Sequence, residues 1–272
     1  MTDASHISSG IICLPVQKIS PDSRLEAQDP VVIEEPLEII LEYGALDART
    51  TTPVSITMRT PGHDTELALG FLYTEDILSE KADALEDANT IHISLTSIPN
   101  LKKLQRHFYT TSSCGVCGKT SIEALYPAHA TTRQTGPTIN AAVLYTLPSL
   151  LRQGQDLFEL SGGLHAAGLF DHQGRLILVR EDIGRHNALD KLIGHALIHD
   201  LLPLNRHILL LSGRACFELI QKAAMAGISI IAAVGPPSSL AVQLAEESGI
   251  TLVGFLKHDR FNIYSGAHRI RL

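Results

Sequence analysis

Ile208-Leu-Leu-Leu-Ser-Gly-Arg-Ala-Cys-Phe-Glu-Leu-Ile-Gln-Lys-Ala-Ala-Met-Ala-Gly227-Ile-Ser-Ile-Ile-Ala-Ala-Val234 decides the fold of this 272-residue chain. Ile208 to Ser212 is short, apolar and uncharged, as a strand buried on both faces must be. Phe217 to Ala226 then has helical spacing and stops at Gly227, which tolerates the left-handed turn that ends a helix. Ile228 to Val234 is a second buried strand. The same alternation continues with a helix over Ser238–Ser248, stopped by Gly249, and strands over Thr251–Leu256 and Phe261–Tyr264.

Working upstream, Asn187–His199 has an apolar face of Ala188, Leu189, Leu192, Ile193, Ala196 and Leu197, the mark of an amphipathic helix. Before it, His165–Phe170 and Arg175–Arg180 flank Asp171-His-Gln-Gly174, the signal of a hairpin. Asn140–Leu151 reads as a helix that Pro148 kinks or ends. Strands alternating with crossover helices predict a largely parallel sheet with helices on its faces. A linker of Thr, Gly and Pro over Ala130–Thr138 precedes this part, so the expected domains are residues 1–137 and 138–272.

The first part is expected to be a small α+β module. Its first thirty residues read as irregular; strands are predicted at Val31–Ile40, Val54–Arg59 and Thr90–Ser94, and Asp64 is a candidate cap for a helix over Glu66–Tyr73. The two parts differ in charge. Residues 1–100 hold 5 Lys and Arg against 17 Asp and Glu, whereas residues 101–272 hold 17 against 12. An anionic ligand such as a phosphate ester therefore belongs to the second part. No dense Lys/Arg stripe and no Trp point to nucleic acid. The chain shows neither a membrane-spanning apolar stretch nor the start of a secretion signal. It reads as a cytoplasmic globular protein with reduced thiols.

Two of the four cysteines form Cys114-Gly-Val-Cys117, among Ser, Thr and Gly that bury little. A pair at this spacing can bind metal, cycle as a dithiol, or carry sulfur on one thiol while the other assists. Zinc needs three or four ligands, so distant histidines such as His165 or His186 would have to complete the set. Gly118-Lys119-Thr120 imitates the end of a phosphate-binding loop, but Ser113 stands where that loop needs glycine. The order of elements matches zinc deaminases, which carry H-x-E before P-C-x-x-C. In His165-Ala166-Ala167 the glutamate position is Ala167, and the CxxC lies on the wrong side of the histidine. The fold analogy holds; deamination lacks its proton shuttle. His195 and His199, spaced i, i+4 without a glutamate, read as a solvated helix face, and Cys216 reads as packing.

Strand ends carry the other candidates. Arg180-Glu-Asp-Ile-Gly-Arg-His-Asn187 closes a strand and opens a helix, whose free backbone N–H groups suit a phosphate, with Arg185 and His186 adding charge. Ser212-Gly-Arg214 and Gly235-Pro-Pro-Ser-Ser239 repeat the arrangement at the next two strand ends, where ligands of open α/β sheets bind.

Together Glu35-Pro-Leu37, Arg59-Thr-Pro-Gly62, Leu69-Gly-Phe-Leu72, Cys114-Gly-Val-Cys-Gly118, Gly162-Gly-Leu-His-Ala166, Arg180–Lys191, Ser212-Gly-Arg214 and Phe255–Tyr264 resemble the formate dehydrogenase accessory sulfurtransferases, the FdhD-type family. Tyr43-Gly-Ala-Leu-Asp47 departs from the short turn that the family leads one to expect. The resemblance implies a sulfur relay. A cysteine desulfurase loads Cys114 as a persulfide, Cys117 assists, and sulfur passes to the molybdenum or tungsten bis-molybdopterin guanine dinucleotide cofactor needed by formate dehydrogenase. It also implies a homodimer, a cytidine-deaminase-like three-layer second domain, and cofactor binding by Phe255, Leu256, Lys257, His258, Asp259 and Arg260. Arg185, Arg214 and Lys257 are expected on its phosphates, Ser212 beside them, and His186 or Asp182 positions the cofactor or a proton. Two readings compete: a cofactor-binding chaperone without sulfur chemistry, and a zinc-stabilised nucleotide-binding protein.

Overall fold

The computed structural model describes residues 6–8, 10–45, 47–78, 81–96, 98–99 and 136–272. Cys114, Cys117, Lys119 and most of the Ala130–Thr138 segment lie outside the described residues. Strands β1 (His6–Ser8), β2 (Ile11–Ser20) and β3 (Ser23–Val32) form an antiparallel sheet. This corrects the irregular reading of the first thirty residues: β2 and β3 pair along their whole length, from Ile11 with Val32 to Ser20 with Ser23. Most of their side chains are exposed on both faces, so no apolar alternation marks them.

Strand β4 (Glu35–Tyr43) pairs antiparallel with β5 (Thr50–Arg59). Helix α1 (Asp64–Thr74) then leads to β6 (Asp83–Asp87) and β7 (Thr90–Ser94), and β7 returns parallel to β4 to give the order β5-β4-β7-β6. Leu37, Ile39 and Leu41 point to one face of β4 and pack with Ile91, Ile93, Leu67 and Leu72. Asp64 does not cap α1; His63 holds the cap position, and the Asp64 carboxylate accepts a 2.8 Å bond from Arg59 instead. Sequence reading missed β6, whose side chains are all exposed and mostly acidic at a sheet edge.

The second part opens with β8 (Ile139–Asn140), α2 (Ala141–Gln153) and α3 (Asp156–Ser161). Asn140 caps α2 through the Ala142 amide at 2.8 Å, and Pro148 sits inside the helix without ending it. The hairpin β9 (His165–Asp171) and β10 (Leu176–Asp182) precedes α4 (Arg185–Ile198). There follow β11 (His207–Leu211), α5 (Phe217–Met225), β12 (Ile230–Ala233), α6 (Ser239–Glu247), β13 (Thr251–Gly254), β14 (Asn262–Ser265) and β15 (Ile270–Arg271).

Six of these strands make one sheet in the order β10-β9-β11-β12-β13-β14. Only β11–β12 and β12–β13 are parallel pairs; the other three are antiparallel. The sheet is thus mixed, which corrects the largely parallel expectation. A hairpin supplies β10, and β14 follows β13 with no crossover helix to reverse its direction. Alternation sorts the side chains into two cores. Leu209, Leu211, Ile231, Ala233 and Leu252 pack with α4, α5 and α6, whereas Ile208, Leu210, Ile230, Ala232 and Val253 pack with α2.

Helices α1 and α4 cross through glycines. A Cβ on Gly70 would stand 1.9 Å from the Asp190 carbonyl oxygen, and one on Gly194 1.8 Å from that of Glu66. Ion pairs seal the same contact. Glu66 accepts from Arg180 at 2.7 Å, and buried Lys222 reaches Asp190 at 2.9 Å and the Thr74 hydroxyl at 2.9 Å. Burial pushes the Glu66 carboxyl up, but the bonds from Arg180 and His195 outweigh it and hold the group below its ordinary value. His195 is therefore tied into this contact rather than free on a solvated face; His199 is exposed. No helix among the described residues is long and apolar enough to cross a membrane.

Candidate functional site

The ends of β11, β12 and β13 lie side by side, and their loops are stitched by backbone bonds. Gly235 N–H donates to the Gly213 carbonyl at 2.9 Å, Phe255 N–H to Gly235 at 3.1 Å, and Ser238 N–H to Ala215 at 2.9 Å. Such close approach needs glycine: a Cβ on Gly235 would meet the Gly213 oxygen at 3.0 Å. Antiparallel β9 brings its first residue, His165, to the same edge. Ser212 joins it there, its hydroxyl accepting from the Ala166 amide at 2.8 Å, and the His165 ring would be 3.3 Å from a Cβ on Gly213. Asp182 pairs with His165 at the end of β10.

The polar run 180–191 does two different jobs. Most of it is structural. Asp182 is fully buried and accepts from Lys191 at 2.7 Å, the Thr60 amide at 3.1 Å, the Gly184 amide at 2.8 Å and the Asn187 side chain at 3.1 Å. Those bonds hold the turn into α4 against β5, so Asp182 positions the loop rather than a ligand, contrary to its expected role. Asn187 adds a bond to the Met58 carbonyl at 2.7 Å, and Arg180 and Asp190 belong to the α1–α4 contact. Arg185 and His186 remain at the opening of α4, mostly buried and close to the β11 loop.

Here the side chains make a positive cluster beside a thiol. His186 Nε2 lies 3.2 Å from Cys216 Sγ and 2.8 Å from Glu218 Oε2. Cys216 occupies the N-cap of α5, and Glu218 lies in its first turn. Burial pushes the Cys216 thiol up, but the bond and charge of His186, the Leu219 amide and Arg185 outweigh it and bring the thiol to about 7. Burial pulls His186 down, yet its bonds to Cys216 and Glu218 raise it to about 9. For His165 burial again leads, and the charges of Arg185, His186 and Arg214 add to it, so its pKa falls. Arg185 Nε is buried with no hydrogen-bond partner among the described residues. An unpaired buried guanidinium donor, with Arg214 on the neighbouring loop, suits an anion.

The structure thus gathers Arg185, His186, Ser212 and Arg214 with the 255–260 loop. Phe255, Lys257, His258, Asp259 and Arg260 are exposed, and Phe255 takes a left-handed φ of 53°. Leu256 is 1% exposed and packs in the α2 core, which corrects its place in the expected cofactor site: its side chain anchors the loop. Sequence reading missed Glu218 and took Cys216 for packing. The signal was present: a cysteine at a helix start, two residues before a glutamate, just past a strand end.

Comparison with known proteins adds a lineage. A model described as the FdhD/NarQ family matches residues 32–271. A protein called sulfur carrier protein FdhD from Nocardia farcinica is 44% identical over 274 residues, covering 94% of this chain and 93% of that one. One of the same name from Streptomyces avermitilis is 49% identical over 262 residues, covering 90% of each, and one from Sulfurisphaera tokodaii is 40% identical over 261 residues, covering 94% and 97%. A crystal structure described as that of a formate dehydrogenase accessory protein from Desulfotalea psychrophila superposes with a TM-score of 0.75 at 24% identity, covering 96% of this chain and 100% of that one. That likeness establishes the mixed α/β fold.

Proposed function

Because the chain belongs to the FdhD/NarQ family, we propose that it is a sulfur carrier serving formate dehydrogenase. The observation that carries this reading is the extended likeness, over nine-tenths of the chain, to proteins named as sulfur carriers. The finer steps belong to the proposal. The Cys114 thiolate attacks the terminal sulfur of a desulfurase persulfide; the old S–S bond breaks, the new one forms, and the donor cysteine leaves as a thiolate. The exchange is redox-neutral. Cys117 assists, and the sulfur goes on to a molybdenum or tungsten bis-molybdopterin guanine dinucleotide, held as a substrate. The family resemblance further suggests a homodimer in the cytoplasm, a division at residues 137–138, and a deaminase-like second domain.

The β11–β13 edge supports the cofactor part of this reading. Arg185 opens α4 and Arg214 follows β11, each offering a guanidinium group to a phosphate, and Lys257 lies on the neighbouring loop. Guanosine diphosphate, the probe for the guanine-phosphate half, is expected to bind Arg185→Ala and Arg214→Ala each about 10- to 100-fold more weakly, the scale of one charge-assisted bond. Calorimetric titration giving wild-type affinity in both variants would remove these arginines from the site.

The sulfur step is tested by intact-protein mass spectrometry after incubation with a cysteine desulfurase and cysteine. The wild type is expected to gain one sulfur atom that reductant removes, and Cys114→Ala to gain none. No gain in the wild type with an active desulfurase would favour a chaperone that binds cofactor without sulfur chemistry.

A further inference from the structure

His186, Cys216 and Glu218 present one nitrogen, one sulfur and one oxygen to a common point, all within 4.8 Å of one another. They come from two helix starts: His186 is the second residue of α4, and Cys216 and Glu218 are the N-cap and second residue of α5. His186 and Glu218 are 11% and 12% exposed, so the point is sheltered yet reachable. A single ring nitrogen, Nε2, faces both the sulfur and the carboxylate oxygen. Imidazole nitrogen, thiol sulfur and carboxylate oxygen gathered around one gap are the ligand types of a metal centre.

We propose that His186 Nε2, Cys216 Sγ and Glu218 Oε2 form a binding site for a zinc-class divalent cation. Zinc bonds of about 2.0–2.3 Å place the ligand atoms of one tetrahedron roughly 3.4–3.6 Å apart. The observed 2.8 Å and 3.2 Å therefore need those two pairs to part by less than an ångström, and the sulfur and oxygen, within 4.8 Å of each other, to close by at most about 1.4 Å. Thiolate, imidazole and carboxylate are the ligand set that zinc or cobalt takes. Three protein ligands leave a fourth position for water or a soft donor from a substrate, as in reactive rather than structural sites. Arg185, which also bonds the Cys216 sulfur, serves as an outer-shell donor of the kind that orients metal-bound thiolates.

The chain order agrees with zinc deaminases, in which a histidine precedes the cysteine pair. This corrects the match at His165: His186 takes the histidine's part, Ala188 stands where the glutamate would be, and Leu219 where the second cysteine would be, with Glu218 beside it. The ion would be held, but the proton shuttle of deamination is missing. The proposal rests on these three side chains and is independent of the sulfur-carrier reading.

Cobalt(II) titration of the full-length, metal-stripped chain tests it, in a background of Cys13→Ser, Cys114→Ser and Cys117→Ser that leaves Cys216 as the sole thiol. The expected result is a thiolate-to-cobalt charge-transfer band with the intense visible bands of four-coordinate cobalt, at one ion per chain. Adding Cys216→Ser should abolish the charge-transfer band, and Glu218→Gln should weaken zinc binding by at least the about 10- to 100-fold that even outer-shell changes cost. Circular dichroism of each variant checks that it is folded. No charge-transfer band in the Cys216-only chain would overturn the site. So would a wild-type band that survives Cys216→Ser and disappears with Cys114→Ser and Cys117→Ser.

Discussion

Lys191→Met is expected to cost about 3–5 kcal/mol of stability, the scale for removing one partner of a buried ion pair. Lys191 is 1% exposed and Asp182 is fully buried. The ammonium lies 2.7 Å from the Asp182 carboxylate and 2.8 Å from the Thr60 carbonyl oxygen. Methionine fills a similar volume but leaves the carboxylate charge buried without its cation. Against a usual total of about 5–15 kcal/mol, that loss is a large fraction. The damage should also reach the candidate site, because Asp182 holds the Gly184 amide and Asn187 on either side of Arg185 and His186. Urea unfolding of Lys191→Met, Asp182→Asn and the double variant measures the effect. The double variant should be less unstable than the sum of the singles, since removing both charges leaves neither unpaired. Additive losses, or a Lys191→Met cost below about 1 kcal/mol, would show that the pair is not what holds this turn.

Gly194→Ala is expected to destabilise by at least about 1–3 kcal/mol, the cost of overpacking, although alanine is by itself the better helix former by about 1 kcal/mol. The added methyl would stand 1.8 Å from the Glu66 carbonyl oxygen, which is backbone and cannot swing aside as a flexible side chain would. Helices α1 and α4 must then separate, loosening the Arg180–Glu66 and Lys222–Asp190 pairs packed around the crossing. Gly70→Ala should behave alike, its methyl falling 1.9 Å from the Asp190 oxygen. A denaturation midpoint equal to or above that of the wild type in both variants would mean that the helices do not meet as closely as described.

Local pattern was legible where a segment buries one face or both. The strand Ile208–Ser212, the α4 face and the hairpin at Asp171–Gly174 follow from periodicity and turn residues alone. It was not legible where burial does not alternate: β2 and β3 expose both faces, and β6 is an acidic edge. The polar run 180–191 was recognised as special, but its division was not. Asp182, Asn187, Asp190 and Lys191 look like ligand-binding residues in sequence, yet Asp182 and Lys191 bond each other and Thr60, and Asn187 and Asp190 reach β5, α1 and α5.

The cysteine at 216 shows the same limit. Its helix-start position was readable, but its reactivity depends on His186, thirty residues away. By itself the sequence determined the alternating elements, the excess of positive charge in the second part and the family, because these follow from residue type and spacing along the chain. Only the tertiary structure decided the strand directions and the polar residues that face the site rather than the core. It also brought His186, Cys216 and Glu218 to one point. Those outcomes depend on contacts between distant segments, and hydrogen bonds and ion pairs act over distances in space that spacing in sequence does not encode.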